Sequence, residues 1–225
     1  MEKTLARSII YDFLAKGFLY PDKTVFNTFT DPEFVENLKG AARQVQENKN
    51  ASIYEEIDDG ISGLKEMGID GLLTEYERLF GTHSRNIRVT LNQTEIIVDE
   101  KKPAFMAQTH DMADIAGCYK AFGFEAAKIR PDHFGVELEF MHVLAFKEFL
   151  AMKEREAEKQ AICAAAGKMF LLKYLGPSGC VFAEGVREAT GSGYFKFLAR
   201  ALAWFIEREH DIVLGRGDKS LCSGK

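Results

Sequence analysis

Residues 131–152 read PDHFGVELEFMHVLAFKEFLAM. Pro131-Asp132 is a good helix start, and the apolar residues that follow carry one long helix to about Met152. Outward from this segment the same period recurs. Upstream, Ala104 to Phe122 carries Met112, Ile115, Ala116 and Tyr119 and ends at Gly123. Near the N-terminus, Leu5, Ile9 and Phe13 run beside Ala6, Ile10 and Leu14; both series step by four and form one helix face. Asp31-Pro32-Glu33 reads as cap, first-turn proline and early acid for a helix through Val45. Ile53 to Leu64 and Leu72 to Phe80 give two further apolar series. Downstream, a helix opens in the charged stretch Lys153–Gln160 and runs to Leu175. Gly176-Pro177-Ser178-Gly179 reads as a turn, followed by helices over Cys180–Ala189 and Tyr194–Val213. Residues 82–102 break the period and read as an ordered surface loop or a short strand pair.

The expectation is therefore an all-α, compact multi-helix bundle of about eight or nine helices. No repeat period is visible, and residues 1–225 read as one domain. A hinge is expected near 123–131 between two helical halves, with a frayed tail at 215–225. With 46% apolar and 28% charged residues the 225-residue chain is globular, and 18 Phe against 5 Pro suits helices with a large aromatic core. The net charge of −5 argues against nonspecific nucleic-acid binding, which needs a basic surface. No stretch approaches the ~20 apolar residues of a membrane span, and Glu2, Lys3 and Arg7 interrupt any signal-peptide core. The four cysteines, at 118, 163, 180 and 222, form no C-x-x-C pair. They read as idle or buried thiols of a cytoplasmic protein, not as a disulfide framework or zinc ribbon.

Chemistry-bearing patterns are few. No phosphate loop and no G-x-S-x-G elbow occurs. Glu139-x-x-His142 and Glu207-x-x-His210 have the spacing of di-iron carboxylate ligands in a helical bundle. Helix phase disfavours that enzyme reading: Glu139 and His142 share a sector with Phe146 and Phe149, whereas Glu207 falls on the polar side with Lys196 and Arg200. The densest polar cluster is Pro131 to His142. As a capped helix it explains Asp132, as N-cap or early acid, and Glu137, near the helix dipole. It does not explain Glu139 in an apolar sector, where a carboxylate needs partners. Tyr76-Glu77-Arg78-Leu79-Phe80, taken alone, reads as core.

Together these segments carry a resemblance. Tyr76-x-x-Leu79-Phe80, then Tyr119-x-x-Phe122-Gly123-Phe124, then Pro131-Asp132-His133-x-x-x-Glu137-Leu138-Glu139-Phe140-Met141 resembles the TorD/DmsD/NarJ family of molybdoenzyme maturation chaperones. Arg7, Tyr11, Leu14-Ala15, Phe18 and Pro21 look like that family's first helix. Phe170-Leu171, Leu175 and Phe182 follow its C-terminal outline. Tyr174 and Ser178 stand where the family often has His and Trp, and Gln93-Thr94 where a Glu-Ser pair is common. These departures blur the subfamily and the client.

The resemblance implies a non-enzymatic protein. It would bind the twin-arginine leader of a molybdoenzyme catalytic-subunit precursor and hold it back from export until the cofactor is inserted. Carried over, the binding positions are Tyr76, Leu79, Phe80, Pro131, Asp132 and His133, with Tyr20 as a further candidate. A groove lined by Leu79 and Phe80 would take the leader's apolar part, while Asp132, Glu137 or Glu139 would meet its arginines. His133, with an ordinary pKa near 6.5, would change charge near neutral pH. No cofactor is assigned; molybdopterin or a guanine nucleotide, proposed for some members, is left open, as is monomer or homodimer. A helical ligand-binding or regulatory protein using the same groove is the remaining alternative.

Overall fold

The computed structural model describes residues 2–46, 53–81, 89–96, 104–126 and 128–214. The described residues form nine α-helices and no strand: α1 Glu2–Phe18, α2 Lys23–Thr30, α3 Pro32–Val45, α4 Ile53–Phe80, α5 Ala104–Ala121, α6 Phe134–Glu154, α7 Ala157–Phe170, α8 Gly176–Ala189 and α9 Gly193–Leu214. The all-α expectation holds. The tail from 215 onward, with Cys222, lies outside the described residues, as does most of the loop ahead of α5.

Helix α1 is the axis of the bundle. It packs along α6, α3 and α9, and α4 and α8 flank α9. The first and last thirds of the chain therefore share one core, and a single cluster of buried apolar side chains runs from Ala6 to Ile206. Its aromatic content is high because α1 contributes Tyr11, Phe13 and Phe18 while α9 contributes Tyr194, Phe195, Phe197 and Phe205. Tyr11 meets Phe205 edge-on at 4.6 Å.

Local chemistry sets the helix ends. Asp31 accepts from the N–H groups of Glu33 and Phe34, with Pro32 in the first turn of α3. The two apolar series of residues 53–80 form one run, α4, broken only at Gly68, whose φ of 66° opens a kink. The 176–179 stretch corrects the sequence reading: it is helical, not a turn. Residues Leu171–Leu175 widen into a π-helical turn, and the Gly176 N–H reaches back to the Leu171 carbonyl. A Cβ on Gly176 would lie 2.8 Å from that oxygen. Proline normally removes an intrahelical donor and collides with the carbonyl one turn back. The wide turn shifts the pairing ahead of Pro177, so the axis continues into α8.

A buried ionic cluster ties three helices together. Arg7 of α1 forks onto Glu209 of α9 (Nε to Oε1 2.6 Å, Nη2 to Oε2 2.7 Å), and the Tyr11 hydroxyl donates to the same carboxylate at 2.8 Å. Arg7 Nη1 also reaches Glu148 of α6 at 3.3 Å. Burial works against the Arg7 charge, but Glu209 outweighs it and holds the guanidinium firmly protonated. Cys118 and Cys163 are free thiols. Cys180 is disulfide-bonded, which departs from the expectation of four unpaired cysteines.

Candidate functional site

The start of α6 is fixed from three sides. His133 caps the helix, its Nδ1 accepting from the Gly135 N–H at 3.1 Å. The loop at 89–96 is clamped across it: the Gln93 N–H donates to the Asp132 carbonyl and the Phe134 N–H to the Leu91 carbonyl, both at 2.8 Å. Gly135 admits Leu19 from the end of α1, where a Cβ would sit 2.8 Å from the leucine Cγ. Phe134 stacks on Phe182 of α8 with centroids 4.1 Å apart.

This arrangement corrects the assignment of Asp132 as the cap. Asp132 lies one residue too early, and its fully buried carboxylate turns away from the helix. Oδ1 accepts Arg130 Nε at 2.9 Å; Oδ2 accepts Arg130 Nη2 at 2.8 Å and the Thr94 hydroxyl at 2.6 Å. Arg130 Nη1 completes the set by donating to Glu95 Oε1 at 2.6 Å. Glu95 is itself held by the Thr90 hydroxyl and the Asn92 amide. The hydrogen bond that Arg130 donates to Asp132 is the main cause that raises the Arg130 pKa.

The neighbouring titratable groups also differ from expectation. His133 is largely buried, and loss of solvation lowers its pKa to about 4, against the opposing pull of Asp132. It is therefore neutral at neutral pH and carries no charge change there. Glu137, not Glu139, is the carboxylate inside the core. It is fully buried, neither oxygen has a hydrogen-bond partner among the described residues, and burial with Asp132 nearby pushes its pKa well up. Glu139 is half-buried, within electrostatic reach of Asp12 and Lys16 of α1 and of Tyr119.

Tyr76, Leu79 and Phe80 are core residues, at 5%, 0% and 6% exposure, and line neither of the two openings described below. The Tyr76 hydroxyl donates to the Phe18 carbonyl at 3.0 Å. Tyr20 alone stands out at 60% exposure, edge-on to Tyr76 at 5.4 Å. From Tyr20 a relay of ring contacts runs through Tyr76, Phe80 and Phe182 to Phe134. Every candidate aromatic except His133 thus belongs to one stack that ends at the α6 entry.

The apolar openings lie elsewhere. A cavity of about 470 Å³ sits between α5, α6 and α7, with Phe122, Phe140, Met169 and Tyr174 in its walls. A second, of about 300 Å³, is lined by Phe122, Leu150, Ile162 and Cys163. Phe122 is common to both. Tyr119 joins this groove to the acidic site: its hydroxyl donates to the Pro131 carbonyl at 2.7 Å and its ring meets Phe140 at 4.7 Å. Sequence reasoning missed Thr94, Glu95 and Arg130 as one constellation, because their side chains meet only through the clamped loop. The 35-residue separation of Glu95 and Arg130 gave no signal.

Among the described residues no group of three or more His, Cys, Asp or Glu side chains is gathered for a metal ion. His142 instead meets the Ser8 hydroxyl at 3.0 Å. Nothing here favours the di-iron alternative. No helix among the described residues is long and apolar enough to cross a membrane.

The geometry defines an all-helical bundle with an Arg130–Asp132–Glu95 cluster at the α6 entry and an apolar groove nearby. The comparison with protein families makes the assignment more specific: the family model described as nitrate reductase delta subunit matches residues 43–178. The chain belongs to this family of molybdoenzyme maturation chaperones, which act with molybdoenzyme catalytic subunits. No curated protein matches the sequence. The match takes in Tyr76 through Glu139 and leaves Tyr20 outside.

Proposed function

We propose that the chain holds the twin-arginine leader of a molybdoenzyme catalytic-subunit precursor in the cytoplasm while cofactor is inserted. It acts as a binding protein and catalyses no reaction. The observation that carries this reading is the adjacency of two unlike surfaces. A buried carboxylate, Asp132, stands at the α6 entry, and the apolar groove around Phe122 begins one residue contact away through Tyr119. A leader of this kind is a cationic head followed by an apolar stretch. The head matches Asp132 and Glu95 by charge-assisted hydrogen bonds, and the stretch matches the groove.

Within this reading Tyr20 contacts the leader directly, and His133 and Pro131 shape the entry. Tyr76, Leu79, Phe80 and Glu137 act from beneath, by fixing the aromatic stack and the first turn of α6. The segment 123–131 is the hinge. Gly123 (φ 67°) and Lys128 (φ 62°) both adopt the left-handed region there, which gives the connection between α5 and α6 its sharp course.

The test is a titration of purified protein with a synthetic peptide carrying two adjacent arginines followed by leucines and alanines. Asp132→Asn keeps shape and removes the charge. It is expected to weaken binding by on the order of 2–5 kcal/mol, since the charge pair is desolvated. Binding should also weaken, without vanishing, as salt rises past the point where the screening length is ~8–10 Å. Equal binding by Asp132→Asn and the wild-type chain would remove the acid from the site.

A further inference from the structure

The pocket at the α6 entry already contains a guanidinium. Arg130 uses three nitrogens there: Nε and Nη2 fork onto the two oxygens of Asp132, and Nη1 bonds Glu95. Nη2 also lies 3.4 Å from the Thr94 hydroxyl. The receiving atoms are rigid. Asp132 is fully buried, Thr94 is 3% exposed and donates to Asp132, and Glu95 is fixed by Thr90 and Asn92. The occupant is not rigid in the same sense, because the Arg130 side chain is 41% exposed and enters from solvent.

Asp132 and Glu95 share one cation, and two further buried acceptors, the Glu137 carboxylate that feels the Asp132 charge and Gln93 Oε1, have no hydrogen-bond partner among the described residues. A planar fork that matches carboxylate geometry is particular to arginine; an ammonium cannot reproduce it. The set is thus shaped for a guanidinium and is held by a side chain that can swing out.

We propose that Thr94, Glu95 and Asp132 form a guanidinium receptor in which Arg130 is an internal stand-in, displaced by an arginine of the client leader. This rests on the leader-holding reading above and adds its mechanism of exchange. Self-occupation blocks stray cations, keeps Asp132 paired when no client is present, and makes the affinity for the client depend on how firmly Arg130 sits. An unoccupied buried carboxylate would be costly, so the stand-in also protects the fold between clients.

The experiment uses the full chain and the same two-arginine peptide, with a control peptide in which both arginines are glutamine. If Arg130 occupies the receptor nine-tenths of the time, Arg130→Gln should tighten the two-arginine peptide about tenfold and leave the control unchanged. Arg130→Lys should fall between, because lysine keeps the charge without the fork. In the wild-type chain, the Arg130 Nε–H nuclear resonance should move to the position of a solvent-exposed arginine as the two-arginine peptide is added. That measurement decides the matter even if Arg130→Gln loosens the fold. A wild-type chain that binds the peptide with the Arg130 resonance unmoved, or an Arg130→Gln chain that keeps its melting temperature and binds no tighter, makes Arg130 a loop staple and overturns the exchange. Absence of binding by every variant overturns the leader-holding reading itself, and the exchange with it.

Discussion

Two buried carboxylates define the two ends of this bundle. Glu209 is saturated: Arg7 forks onto it and Tyr11 donates to it, with Tyr11 and Glu209 fully enclosed and Arg7 nearly so. Asp132 is equally buried, yet its cation comes from a half-exposed arginine on an adjoining loop, and Glu137 one turn further has no partner among the described residues. A saturated ionic group of this kind locks helices in place. A buried carboxylate whose cation is a part-exposed arginine is, under the exchange proposed above, the one that changes partners. The first centre serves the fold; the second is the one on which the leader-holding proposal rests.

Breaking the first centre gives the largest effect. Glu209→Ala leaves Arg7 with only its longer contact to Glu148 and should cost about 3–5 kcal/mol in urea unfolding. Leader binding by the fraction that remains folded should be unaltered. A loss under 1 kcal/mol (estimated against the same scale) would mean that the two centres do not differ as argued.

The second centre should show itself in pH dependence. The His133 pKa lies at about 4 in the folded chain, against an ordinary value of 6.5. The unfolded chain therefore binds more protons between those values. The stabilising contribution is complete above pH 6.5 and is lost as pH falls towards 4, on the order of 2–3 kcal/mol. Asparagine keeps the capping function, so His133→Asn should flatten that part of the stability curve. Arg130 and Asp132, which face the ring, remain in that variant, so the difference isolates the imidazole.

Glu137 runs in the opposite direction. Its folded pKa is raised, so its contribution is present below about 4.5 and is lost as pH rises through the folded value. Glu137→Gln removes that ionisation and should stabilise the chain by about 1–2 kcal/mol near pH 8, with little gain at pH 4. Equal melting of the two chains at pH 8 would show that the carboxylate has found a partner in the folded state.

The smallest effect belongs to the rim. Tyr20→Ala should leave melting unchanged, because the ring is exposed, while lowering affinity for the two-arginine peptide about threefold through lost cation–π contact. Identical affinities would place the leader's arginines away from Tyr20.

The helices were legible because their signals are local. The four-residue steps of α1, the Asp31-Pro32 start of α3 and the long run of α6 follow from backbone periodicity and capping, which need no distant partner. The 176–179 stretch was misread for the same reason. Glycine and proline report what the chain permits at one residue, but the π turn that absorbs Pro177 is built from the preceding five residues. Family membership was legible too, since it rests on motifs spread along the chain.

The order of burial along α6 could not be read from its own pattern. A helical wheel assumes one wet face, yet Phe134, Gly135, Val136, Glu137 and Leu138 are all buried because the entry of α6 is enclosed by Leu19, the 89–96 loop and Phe182. That enclosure put Glu137 inside and left Glu139 at the edge, the reverse of the phase argument. By itself the sequence determined the all-α class, most of the helices though not α2, and the family. Only the tertiary structure decided which carboxylates are sealed and which histidine is neutral, and it added Glu95 to the local Arg130–Asp132 pair, because desolvation and ion pairing depend on groups brought from 35 to 202 residues away.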